Sequence, residues 1–167
     1  LLATSSHAGR NASADRLEAT LEACASHLGC DGVMLWLADR QLERMALRKP
    51  LAAPELDTLR RLARGSLARE VMARGRAIIV GKLRETPEGP LLPWTVIAAP
   101  VLADGAPLGL VMAFAQREAR HLSPRDARRL ERIVPRVVAA TEMEHDPLTG
   151  LPARHVFEGR LRSVLAT

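Results

Sequence analysis

The chain has 167 residues, 47% of them hydrophobic and 26% charged, with a formal net charge of +5 and a pI near 10.4. That length holds one domain with a well-buried core and a modest extension, but not two domains. The basic residues are scattered and almost all arginine, with lysine only at Lys49 and Lys82, and there is no Tyr and only two Phe and two Trp to act as stacking platforms, so no nucleic-acid partner is expected.

The chain starts at Leu1 rather than a methionine, shows no signal-peptide pattern and stops at Thr167 in mid-pattern, which reads as a piece of a longer protein. Its longest apolar runs, such as residues 108–115, are far shorter than the roughly 20 residues that cross a bilayer, so no membrane contact is expected. Cys24 and Cys30 make no disulfide framework and fit a reducing cytoplasmic setting.

Residues 1–13 lack apolar periodicity and read as a flexible lead-in, with Ser13 as the cap of a first helix. Leu17, Leu21, Cys24 and Leu28 recur at intervals of three and four, forming one apolar stripe that ends before Gly29. The continuous apolar run 33–38, a turn at Asp39-Arg40 and the more alternating 42–47 predict a hairpin. Pro54 opens a helix carrying Leu56, Leu59 and Leu62; Gly65-Ser66 interrupts it, and a second short helix closes at Gly75. A short strand at 77–80 leads into residues 81–93, whose glycines and prolines predict a long irregular segment of the kind that carries function. Two apolar strands, 94–102 and 108–115, flank Asp104-Gly105, a hairpin signal because that pair accepts positive φ. Ser123, Pro124 and Asp126 then mark a helix start, and the helix is expected to run to about Glu144 with a kink around Pro135.

This order of parts resembles the GAF domain family over about residues 14–142. The segments that carry the likeness are GSLAREVMARGRAIIV, VIAAPVLADGAPLGLVMAFA and HLSPRDARRLERI. The resemblance implies an α+β fold: a twisted antiparallel sheet of five or six strands with helices on both faces, a ligand pocket on one face, and a long C-terminal connecting helix. The expected organisation is a lead-in (1–13), a sensory core (14–121), a connecting helix (122–144) and a terminal piece (145–167).

That terminal piece, HDPLTGLPARHVFEGRL, closely resembles the opening motif of GGDEF domains, the diguanylate cyclases of bacterial cyclic di-GMP signalling. Asp146, Leu148, Thr149, Gly150, Leu151, Arg154 and Phe157 match the motif, while Ala153 stands where the family usually has Asn. The resemblance implies a GAF module that controls a GGDEF output domain. The metal-binding acid and the signature loop lie beyond Thr167, so the chain itself is expected to have no catalytic residues and to make no cyclic di-GMP.

If a small-molecule pocket exists, Trp36, Trp94 and Met112 are its expected apolar walls, with Arg69 or Arg76 as polar anchors. The bland alternative is that the tryptophans are core and the arginines solvated. The Asn-Lys and Phe-Asp-Glu groups of cyclic-nucleotide-binding GAF domains are absent, and no cofactor is expected. Cys24, His27 and Cys30 lie close enough to suggest a metal, but Cys24 belongs to the apolar stripe and no fourth ligand is evident, so none is expected. His121 is read as a loop residue rather than a haem or bilin ligand. In the last helix, Ala127, Leu130, Val134, Val137 and Thr141 alternate in threes and fours, which predicts a homodimer seam at Leu130, Val134 and Val137, or a face packed on the domain's own sheet.

Overall fold

The computed structural model describes residues 5–142, with side chains from 15 to 141. Helix α1 (Ser5–Leu28) begins eight residues before Ser13. Ala8, Arg10, Ala12 and Ala14 favour helix, while Gly9 opposes it at a cost near 1 kcal/mol and Asn11 and the serines oppose it more weakly; Ser13 lies inside the helix instead of capping it. Gly29, at φ +62°, closes α1.

Strands β1 (Gly32–Leu37) and β2 (Leu42–Leu47) form the first hairpin. Two helices follow, α2 (Ala53–Arg64) and α3 (Ser66–Arg74). The Glu55 carboxylate accepts the Ala52 N–H at 2.9 Å, and Gly75 ends α3 in the left-handed conformation. Then come β3 (Ile78–Val80), β4 (Trp94–Ala103) and β5 (Ala106–Gln116). Asp104 and Gly105, at φ +51° and +80°, turn the last hairpin as the Asp-Gly pair predicts.

The five strands pair antiparallel in the order β2-β1-β5-β4-β3. β3 is short and pairs β4 only from Val96 to Ala98, so Pro100 falls where no strand pairs on the β3 side and its missing N–H is tolerated. The last helix, α4 (Pro124–Glu142), starts at the Ser-Pro signal and runs unbroken through Pro135.

Alternation along the strands divides the core in two. Val33, Leu35, Ile97, Ala99, Val111 and Ala113 face α1 and α4, while Met34, Val96, Ala98, Met112 and Phe114 face α2 and α3. Both faces are therefore apolar, which explains why β1, β4 and β5 read as continuous apolar runs rather than alternating ones.

Candidate functional site

On the α2/α3 face, one residue from each strand forms a row across the sheet: Met45, Met34, Met112, Ala98 and Ile78. Met34, Leu110, Met112 and Phe114 are fully buried beneath Leu59, Leu62, Leu67 and Val71. Gly32 is required here, because a Cβ would overlap the Phe114 ring and lie 2.9 Å from Leu47 Cδ2.

The segment 81–93 closes one end of this face. It folds back on itself through an Arg84–Leu91 bridge, and the Leu92 N–H donates to the Leu83 carbonyl at 2.8 Å. The Arg84 guanidinium caps the tip by donating to the Gly89 carbonyl, and Arg61 of α2 donates to Glu85 at 2.7 Å. Leu83 is the apolar plug that this segment inserts into the core, in the same cluster as Trp94. Trp94 is 2% exposed, yet its Nε1–H has no acceptor among the described residues. A buried donor left unpaired costs about 1–3 kcal/mol, so this atom marks the point where an acceptor would be gained.

The GAF domain family profile matches residues 14–140. The chain belongs to the GAF domain family. Solved structures agree on the fold. A GAF domain/HD domain protein from Geobacter sulfurreducens superposes with a TM-score of 0.58 at 14% identity, covering 78% of this chain and 93% of that one. Free methionine-R-sulfoxide reductase from Neisseria meningitidis gives 0.56 at 20% identity, with 78% of each chain covered. A domain of a two-component sensor histidine kinase protein from Sinorhizobium meliloti 1021 gives 0.52 at 18% identity, covering 77% and 90%. No curated protein matches the sequence.

The GAF domain distributes the five expected pocket residues over several places. Trp94 and Met112 are buried on the α2/α3 face, and Trp36 packs half-buried against the same cluster. Arg69 is exposed on α3. Arg76 belongs elsewhere: with Gly75, Pro100, Leu102, Glu131 and Val134 it lines a groove of about 420 Å³ between the unpaired stretch of β4 and α4. There the Glu131 carboxylate accepts the Ala77 N–H at 2.8 Å. Sequence spacing could not separate Arg76 from Arg69, because the Gly75 turn between them carries the chain from α3 to the sheet edge.

Cys24 and Cys30 are buried while His27 is exposed. Burial pushes the Cys24 thiol up to about 12 and the Cys30 thiol up to about 11, so both stay protonated at neutral pH. Among the described residues, no three His, Cys, Asp or Glu side chains converge as a metal site. His121 is exposed just before α4.

Leu130 and Val137 are fully buried and Val134 nearly so, all in the cluster shared with α1 and the sheet. The expected dimer seam is therefore occupied by the chain's own strands. The GGDEF-like residues Asp146, Leu148, Thr149, Gly150, Leu151, Arg154 and Phe157 lie outside the described residues. No helix among the described residues is long and apolar enough to cross a membrane.

Two carboxylates matter more than their sequence context suggests. Asp31 accepts the Gln116 N–H at 2.8 Å and pairs with Lys49 at 3.0 Å, while its own N–H donates to the Phe114 carbonyl. It fastens the end of β5 to the start of β1. Asp126 caps α4, accepting the Ser123 N–H at 2.9 Å and hydroxyl at 2.8 Å. Burial would raise its carboxyl, but the Ser123 bonds and the Arg120 and Arg129 charges hold it below the usual range.

Proposed function

We propose that this GAF domain is the sensory module of a bacterial cyclic di-GMP signalling protein, taking a small ligand on its α2/α3 face and controlling a GGDEF output domain that follows it. The observation that carries the ligand reading is the buried, unpartnered Trp94 indole N–H beside the folded-back segment 81–93. A ligand acceptor that displaces the Leu83 plug would pair that donor and occupy the space Leu83 vacates. β4 and β5 underlie both faces, since Val96, Ala98 and Met112 pack toward α3 while Ile97, Ala99, Val111 and Ala113 pack toward α1 and α4. A shift on one face therefore bears on α4, and α4 leads toward residues 145–161, whose sequence resembles the GGDEF opening motif. GGDEF cyclases join two GTP molecules across two facing domains, so the proposal includes a homodimer whose pairing the ligand adjusts.

Thermal-shift screening against small polar metabolites tests the ligand reading, because a ligand that binds only the folded state raises the melting temperature. The expected hit loses its shift in Trp94→Phe, which removes the donor while keeping an aromatic plug; a hit indifferent to that change places the ligand elsewhere. The output reading is tested separately by the coding sequence beyond Thr167, which should continue into a GGDEF domain. A continuation without one removes the cyclic di-GMP assignment but leaves the ligand reading standing.

A further inference from the structure

The outer groove between α1 and α4, on the opposite side of the sheet from the proposed ligand face, carries a concentration of positive charge that the scattered sequence hides. α1 and α4 pack antiparallel, so that Gly29 at the end of α1 meets Arg120 just ahead of α4. A trough of about 410 Å³ follows α4 and is lined by His27, Arg125, Arg129, Arg132, Ile133 and Arg136. It adjoins a second trough, of about 520 Å³, that shares His27, Ile133 and Arg136 and continues along Ala23, Thr20 and Ala19 of α1 as far as Arg16. Both volumes fall in the range of about 300–1,000 Å³ usual for small-ligand sites.

Among the described residues, no carboxylate lines either trough. The two acids of α4 with described side chains point elsewhere: Asp126 is buried against Ser123 and Arg120, and Glu131 accepts the Ala77 N–H on the far side of the helix. Asp126 reaches the groove cations through Arg129, at 3.8 Å. Arg125 and Arg136 make no ion pair among the described residues, and the Arg132 Nε–H spends itself on the Arg128 carbonyl at 3.4 Å. From Arg125 to Arg136 the row spans 12 residues, about 16 Å along the helix.

We infer that this groove binds a small phosphorylated anion, with its phosphates along the α4 arginines and its remaining atoms along Ala19 and Ala23. Arginine forks match phosphate oxygens in pairs, and several cations in one row suit a ligand with several phosphates. The small side chains of α1 leave a shallow shelf between the α4 arginines and Arg16. A second copy of this chain is a poorer occupant, because a two-fold axis there would set one arginine row against its twin. The chemistry is shared by nucleoside polyphosphates and inorganic polyphosphate. The site is independent of the proposed ligand face.

Calorimetric titration of the 167-residue chain with GTP, inorganic tripolyphosphate and guanosine, at about 50 mM salt where exposed charges are weakly screened, tests the inference. GTP and tripolyphosphate should bind and guanosine should not, and the double variant Arg132→Gln/Arg136→Gln should weaken binding at least tenfold. Arg125→Gln/Arg136→Gln repeats the test if that variant misfolds. The charge-matched control Arg69→Gln/Arg74→Gln, on α3 across the sheet from the groove, should bind as the wild type does. GTP binding tighter than tripolyphosphate identifies a nucleotide, and equal affinity identifies inorganic polyphosphate. The inference is overturned if neither phosphate compound binds, if guanosine matches GTP, if the control loses as much as the groove variant, or if a single-stranded oligonucleotide binds far more tightly than either.

Discussion

Cys24 and Cys30 show how burial alone sets reactivity. Their thiols, ordinarily near 9.0, are raised to about 12 and about 11 by desolvation, and neither faces solvent. A thiol reagent should therefore react with neither in the folded chain at pH 8 and with both after denaturation; rapid modification of the native protein would contradict the burial of α1. The linkage follows in sign. Because the folded values lie above the unfolded ones, the stabilisation is complete below about pH 9 and is lost as pH rises toward 11 to 12, so the melting temperature should fall through that window. The two Cys→Ala changes together should flatten that slope. Glycines at close approaches give the second residue-scale expectation. Gly32→Ala would press on the Phe114 ring, and Gly109→Ala would meet the Trp36 carbonyl with Leu37 Cα 2.9 Å away. Urea unfolding should show a loss of about 1–3 kcal/mol for Gly32→Ala and more for Gly109→Ala, since a ring can shift and a paired backbone cannot.

Among the elements, α4 is the one whose role depends most on where its stripe points. Leu130, Val134 and Val137 contribute to the core under the sheet, each worth about 1.5–3 kcal/mol of burial. Val137→Glu would put a carboxylate at a fully buried position, so circular dichroism should show loss of the fold or a loss of several kcal/mol. Retention of native stability would mean that Val137 is available to a partner after all. Pro135 is exposed inside the same helix and deprives the Glu131 carbonyl of its i+4 donor. Pro135→Ala should stabilise the chain by about 1–3 kcal/mol in urea melts, the upper end being the cost of proline in a regular helix. On the other face, α2 is held to β2 by Glu43, which pairs with Arg60 at 2.6 Å and Arg64 at 2.5 Å.

For the molecule as a whole, the proposed homodimer has to form on surfaces that the monomer leaves open, which on α1 and α4 are flanked by Arg125, Arg132 and Arg136. Like-charge repulsion then opposes pairing, and salt relieves it. Sedimentation should therefore show association that strengthens between low and moderate salt; a chain that stays monomeric at high concentration throughout would remove the dimer from the proposal. Strand and helix positions, the Asp104-Gly105 hairpin, the Ser123-Pro124 helix start and the GAF resemblance were all legible in the sequence, because periodicity, capping and turn chemistry act over a few neighbouring residues. Local chemistry was weaker at Ser13, where a possible cap lies within a run that favours helix on both sides. Contacts between distant segments were not legible: that Arg76 leaves the Trp94 face, that Asp31 bolts β5 to β1, that the seam of α4 is filled by the sheet, and that four arginines line one groove with His27 from α1. Those were decided by the antiparallel packing of α1 on α4 and by the strand order β2-β1-β5-β4-β3, which bring together side chains whose separation along the chain carries no information about their distance in space.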